Sequence, residues 1–341
     1  MSRWYPVSRR CANDTLESLR ASDTIFANRS LTRRASLRIL WGAVLGGAIR
    51  AVAADTNSPG LLIWAAEPAA DTGQQRRYRA DAQVLLLSVP LVRWPNVGGG
   101  SAEWREAPSL RFLEFMGFSN PKRAAGLNRL GFLREMSRTA PDGASESLYF
   151  GLMTASPEET ADDARKALHP TAADAAYTAI DGHMKEGAVE TVAAHFSAPA
   201  RWSVENRSDL IERARMALST ASPRPFEGDA RGPALRPFLE TLAEALRQPA
   251  PTAARFAYAG RPYRLWLQKS ADAKAADRFR QRGLIAAGAK VVAVTGKVRR
   301  EAAGKESDFR LWVEDGAPRP LPLRIEYRAR SYLRLIFEAE G

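Results

Sequence analysis

His169, His183 and His195 are the only imidazoles in the 341-residue chain, so acid–base or metal chemistry by histidine must begin with them. His183 and Glu186, in "HMKE", have a spacing that suggests a metal pair. The surrounding stretch "AAYTAIDGHMKEGAVETVAAHFSA" tests that idea, because it reads as a β-hairpin turning at Glu186-Gly187. That turn sets His183 opposite Glu190 and His195 opposite Thr178, five ladder steps away. At about 3.4 Å per step the two histidines stand roughly 17 Å apart and cannot share an ion. A polar cross-strand pair of His183 with Glu190 on a wet face is the stronger reading, and no metal or cofactor is expected.

Other nucleophile and phosphate chemistry fares no better. Gly-x-Ser-x-Gly, the phosphate-cradling Gly-x4-Gly-Lys-Ser/Thr and a Gly-x-Gly-x-x-Gly are all absent from the sequence. The loop expected at "NVGGGS", Asn96–Ser101, has the freedom to hold an anion in backbone amides, but a plain surface loop is the simpler account. Glu158 and Asp162 fit acids near a helix start, favoured there by the helix dipole. Carboxylate pairs for sugar cleavage meet only in space, so the sequence leaves them open. The single cysteine, Cys11, lies far upstream of every structured-looking segment, which removes disulfides, thiolate catalysis and cysteine-type zinc sites from the remainder.

Two tryptophans stand out by position. In Tyr263–Leu267 and Phe309–Val313 the odd residues form the apolar face, while Trp266 and Trp312 fall at even ones. Either they cap the sheet beneath a helix, or they line a groove for an apolar or sugar ligand.

The elements that must position these residues are mostly strands. "RRYRADAQVLLLSVPLVRW", Arg76–Trp94, passes from alternation into a β-type apolar run, with Pro90 marking an edge or an end. "SLRFLEFMGFS" and "ESLYFGLMTAS" read as strands, and a short helical turn then a strand is expected across "NPKRAAGLNRLGFLREMSR". Helices are expected from Ser156, over "ENRSDLIERARMALST", over Pro237–Arg247 with Phe238, Leu239, Leu242 and Leu246 at helical spacing, and in "DAKAADRFRQRG". Five segments follow: a leader 1–54, a flexible stretch 55–75, an α+β region 76–222, a linker and helix 223–252, and an antiparallel β region 253–341 that either shares a core with 76–222 or does not. The fold class expected is α+β, a β-rich curved antiparallel sheet with several packed helices.

The clearest pattern is C-terminal. Leu321, Leu323, Ile325, Tyr327 and Ala329 are apolar at odd positions, and Leu333, Leu335, Phe337 and Ala339 continue the same parity. A two-residue hairpin loop would shift it. One long bent strand, or an odd-length loop near Ala329–Ser331, is therefore expected. "RFAYAGRPYRLWLQ", "DFRLWVEDG" and "LPLRIEYRARSYLRLIFEAE" resemble the closing strands of an uncharacterised family of exported bacterial β-rich proteins, over about ninety residues. The resemblance implies a coiled antiparallel sheet outside the cytoplasm and supplies no catalytic residues.

The leader explains where such a sheet would work. Ile39–Ile49 is an apolar run of eleven residues between Arg38 and Arg50. As a helix it reaches roughly 16 Å, against about 30 Å of bilayer hydrocarbon. "TRRASLR" resembles the twin-arginine export signal: Thr32, Arg33, Arg34 and Leu37 fall where that pattern wants them, Arg38 replaces its lysine, and Ser36 stands where phenylalanine is usual. Val52 and Ala54 are small residues placed for cleavage before Asp55. The expectation is a periplasmic or secreted protein, signal-anchored to the inner membrane if uncleaved, with the export machinery as a partner and no transmembrane span in the mature chain. Of the net charge of +12, half belongs to residues 1–54, with nine arginines and three acids. The rest is mixed in sign and lacks a basic recognition module, so nucleic acid is not an expected partner. The leading functional expectation is a non-enzymatic protein binding an apolar or cell-envelope ligand, a lipid or apolar small molecule, or supporting an envelope component. The alternative is a hydrolase of cell-wall sugar or ester using dispersed carboxylates.

Overall fold

The computed structural model describes residues 73–86, 89–120, 123, 130–140, 142–154, 174–199, 207–228, 235–302, 306–330 and 333–341. The twin-arginine segment with Arg33, Arg34 and Leu37, the cleavage site at Ala54 and Asp55, the helix expected from Ser156, and His169 lie outside the described residues.

Among the described residues, fourteen strands form one sheet, and every strand pairing is antiparallel. The first group is β1 (Gly73–Leu86), β2 (Val89–Ala107), β3 (Leu110–Ser119), β4 (Leu130–Thr139), β5 (Ser145–Met153), β6 (Asp174–Lys185), β7 (Ala188–Pro199) and β8 (Pro223–Arg224). The second is β9 (Thr252–Tyr258), β10 (Arg261–Ala271), β11 (Val291–Arg300), β12 (Glu306–Glu314), β13 (Arg324–Arg330) and β14 (Leu333–Ala339). Each group is a meander, and the two join where β1 pairs with β14, so the spatial order runs from β8 back to β1, across to β14 and back to β9. Residues 76–222 and 253–341 thus lie in one continuous sheet.

Three helices complete the described residues: α1 (Arg207–Ser219), α2 (Phe238–Arg247) and α3 (Ala273–Gln281). Each covers apolar sheet. Leu210, Ile211, Ala214 and Leu218 of α1 pack on Phe132, Phe150, Leu152 and Tyr177. Ala275, Ala276 and Phe279 of α3 pack on Val291, Ala293 and Trp312. α2 is enclosed. Leu239 and Ala243 meet Trp104, Leu113 and Phe337, while Leu242 and Leu246 meet Phe256, Leu265 and Leu311. Strands from both meanders therefore pack round one amphipathic helix.

The two ends of the sheet meet through a short seam instead of a ladder. The Glu227 amide donates to Gly260 O at 2.8 Å, and the Glu227 carboxylate accepts from Arg261 at 3.0 Å and Arg300 at 2.7 Å. Gly260 sits at φ +75 in the β9–β10 turn, a backbone region open to glycine at no steric cost.

The α+β expectation is corrected by this architecture: the described chain is mostly β, with three short helices serving one large sheet. One cause is "VGGGSAEWREA", expected as a loop and found inside β2. Glycine there answers to a close approach. A Cβ on Gly98 would lie 2.1 Å from Phe118 O, and one on Gly100 2.6 Å from Met116 O. Gly98, Gly99 and Gly100 pair with both β1 and β3, so their amides serve the ladder and not an anion. The C-terminal parity is kept by a register shift, and not by one long strand or an odd-length loop, since Arg330 pairs with Leu333. β13 and β14 form a hairpin with a register shift between Arg328 and Arg330, which leaves odd residues opposite odd.

Candidate functional site

Four strands, β2, β1, β14 and β13, lie side by side, and their register assembles three rows. Trp94, Ala82, Leu335 and Tyr327 stand in one row, and Val92, Val84 and Leu333 in another. Between them lie Arg93, Gln83, Arg334 and Arg328. Side chains alternate across a strand, so the arginine row occupies one face and the two apolar rows the other.

Val89 to Asn96 are all exposed. β3 pairs with β2 only from Gly98 onward, so among the described residues this part of β2 has β1 on one side and no strand on the other. Val89 is 60% exposed, Leu91 59%, Val92 47% and Trp94 52%. Leu91 is the extra residue at a second register shift, and Val92 and Pro90 pair with the successive residues Val84 and Leu85, so apolar groups stand on both faces of the ribbon. Pro90 and Pro95 lie in the same stretch and bring no N–H to it.

A bulge anchors this ribbon. The register shifts between Ala80 and Ala82, and Asp81, buried at the shift, accepts from Arg93 Nε at 2.9 Å and from the Asn96 amide at 2.8 Å. Asn96 has a φ of 56, the left-handed region that asparagine tolerates better than most residues. The guanidinium of Arg334 lies 3.6 Å from Glu326, itself paired with Arg324 at 2.6 Å. Carboxylates therefore lie behind the arginine row, on the body side.

A second polar cluster is interior. Glu135 of β4 receives the amides of Leu239 and Glu240, each at 2.8 Å, on its two oxygens. It caps α2 from a distant strand, where Pro237 offers no side-chain cap. Burial pushes its carboxyl up to about 8, against the opposing pull of those amides. Ser147 donates to Glu240 at 2.9 Å. At the other end of α2, Arg247 donates to Pro318 O at 2.8 Å and to Glu106 at 3.1 Å, and lies 4.7 Å over the Trp104 ring. Burial raises the Tyr149 and Tyr258 hydroxyls far above the ordinary phenol range, and Tyr149 hydrogen-bonds Thr191 at 2.9 Å. Glu135 and Arg247 are spent on holding the helix.

The residues singled out in the sequence do not converge. The β6–β7 turn falls at Glu186-Gly187, and His183 pairs with Glu190 while Thr178 pairs with His195. His183 Nε2 lies 2.7 Å from Glu146 and its Nδ1 4.0 Å from Glu190. His195 Nδ1 sits 3.0 Å from the Thr178 hydroxyl. Glu146 was missed because only the β5–β6 register brings it there. Among the described residues no group of three His, Cys, Asp or Glu could hold a metal. Trp312 is 5% exposed beneath α3, its Nε1 donating to Asp272 at 2.9 Å, and that bond holds the Asp272 carboxyl below the usual range. Arg310 and Arg324 lie 4.6 and 5.2 Å over its ring. Trp266 is half-buried beside Lys297 and Ala253. Their β11 partners, Lys297 and Ala293, are four residues apart, about 14 Å along the strand. The exposed tryptophan among the described residues, Trp94, stands in the sequence only as the end of an apolar run.

No protein-family model matches the chain, and no curated protein does. Among solved structures it is similar to the crystal structure of a β-barrel-like protein of a domain of unknown function, DUF1849, from Brucella abortus. The likeness has 10% identity and a TM-score of 0.33, and covers 78% of this chain and 95% of that one.

Proposed function

We propose that this chain is an exported, non-catalytic protein of the cell envelope that engages an apolar group of that envelope through the β1–β2 ribbon. The observation that carries the reading is the gathering of Val89, Leu91, Val92 and Trp94, four of the six exposed large hydrophobic residues among those described, on one short ribbon. Solvent-exposed apolar clusters of this kind mark contact sites. Export rests on the twin-arginine-like segment at Arg33, Arg34 and Leu37, with cleavage between Ala54 and Asp55. The apolar-contact role considered for Trp266 and Trp312 is better served by Trp94, since α3 covers Trp312. A hydrolase would need carboxylates free to take and give protons at a substrate. Both oxygens of Glu135 are committed to α2, which favours the non-catalytic reading.

Native mass spectrometry with solvent extraction, on protein purified from the periplasm of its own host, tests the reading. A discrete copurified lipid or apolar molecule, lost in Leu91→Asp, is the expected result. A clean mass in every preparation, with activity appearing in a hydrolase panel, would replace it with the hydrolase alternative.

A further inference from the structure

We propose that the ribbon Val89–Trp94 enters the interfacial region of an anionic phospholipid bilayer, with the row Arg93, Arg334 and Arg328 taking headgroup phosphates. The proposal deepens the reading above, on which it rests, by naming the apolar group as the bilayer itself.

Three features select a bilayer over a small ligand or a protein. A groove ligand or a docking protein covers one face, but Pro90 and Val92 put apolar groups on both, and only a lipid surface surrounds a ribbon. The composition is also graded along the strands. The exposed apolar residues of β2 come first, then the arginine row, then the row of Trp94 and Tyr327, with Asp81 and Glu326 behind it. That order matches hydrocarbon, anionic headgroup and water. Arg334 and Arg328 lie directly opposite one another across β14 and β13. Finally, Trp94 and Tyr327 occupy the row next to the arginines on the opposite face. Tryptophan and tyrosine favour that headgroup depth.

The same geometry limits the depth. The outer edge of β2 from 89 to 95 carries backbone groups without a ladder partner among the described residues, and hydrocarbon does not accept such groups. Pro90 and Pro95 reduce the number of stranded N–H groups without abolishing them. The ribbon therefore rests at the headgroup boundary and does not span.

The test uses the full chain carrying Cys11→Ser and Leu91→Cys, labelled at the new thiol with an environment-sensitive fluorophore. Leu91 is exposed, so the label leaves the core alone, and it reports the ribbon irrespective of the apolar run at Ile39–Ile49. Phosphatidylcholine vesicles with and without phosphatidylglycerol are compared with monomeric lysophosphatidylcholine. The expected result is a blue shift, quenched by spin-labelled lipid, that needs phosphatidylglycerol and weakens with salt. Arg328→Gln and Arg334→Gln should each weaken partitioning about fivefold, the equivalent of about 1 kcal/mol per arginine at an anionic surface. Equal binding to both vesicle types overturns the headgroup role of the arginine row. A response to lysophosphatidylcholine but to neither vesicle overturns the bilayer and leaves apolar engagement standing. Silence toward all three overturns both.

Discussion

β2 is one strand with two environments. From Val97 to Gly100 every residue is buried, and the strand is paired on both sides and packed so closely that glycine is required. From Val89 to Asn96 every residue is exposed, and apolar side chains face water on both sides of a two-stranded ribbon. Sequence hydrophobicity runs against this division, since the exposed half is the more apolar of the two. In the inner half the large side chains come from neighbours, Phe118 and Phe337, and the strand supplies room for them. Burial here follows position relative to partners more than residue type.

The contrast can be broken from the inside first. Burial of Glu135 raises its folded value to about 8, above the ordinary carboxyl range of the unfolded chain. The proton is thus held more tightly in the folded state. Its stabilising share is complete below the unfolded value and is lost as pH rises through about 8. Thermal denaturation should show stability falling by a few kcal/mol between pH 5 and 8, and Glu135→Gln should flatten that slope. Next in size, Gly98→Ala forces a methyl against the Phe118 carbonyl and should cost about 2–3 kcal/mol by chemical denaturation. Trp312→Phe removes the donor to Asp272 beneath α3 and should cost about 1 kcal/mol. Leu91→Asp, in the exposed half, should change stability by less than about 0.5 kcal/mol while reducing vesicle binding. If Leu91→Asp proved as costly as Gly98→Ala, the two halves of β2 would not differ as described.

The strands most visible in the sequence were those with one face against the core. The β6–β7 hairpin was legible to the residue, because Glu186-Gly187 is a turn and alternation fixes the rest. The parity of Leu323–Ala339 left one long strand or a hairpin open, and the shift between Arg328 and Arg330 that reconciles it with a hairpin was not legible. What stayed hidden depended on distant partners. "VGGGS" looks like a loop until Phe118 and Phe337 are beside it. Glu135 shows nothing in sequence of its bond to α2, 104 residues away. The rows of Arg93, Arg334 and Arg328 and of Trp94 and Tyr327 exist only once β1 pairs with β14.

That pairing also sets an order of events. Among the described strands β1 is the first in chain order and β14 the last, yet they are neighbours in the middle of the sheet. Until Leu333–Ala339 has been made, β1 presents an open edge. Contacts so far apart in sequence make for slow folding and leave edges exposed meanwhile. The β1 edge is closed to unwanted strand partners only once β14 has been made, so a cell must either shield the growing chain or extend it quickly past Ala339.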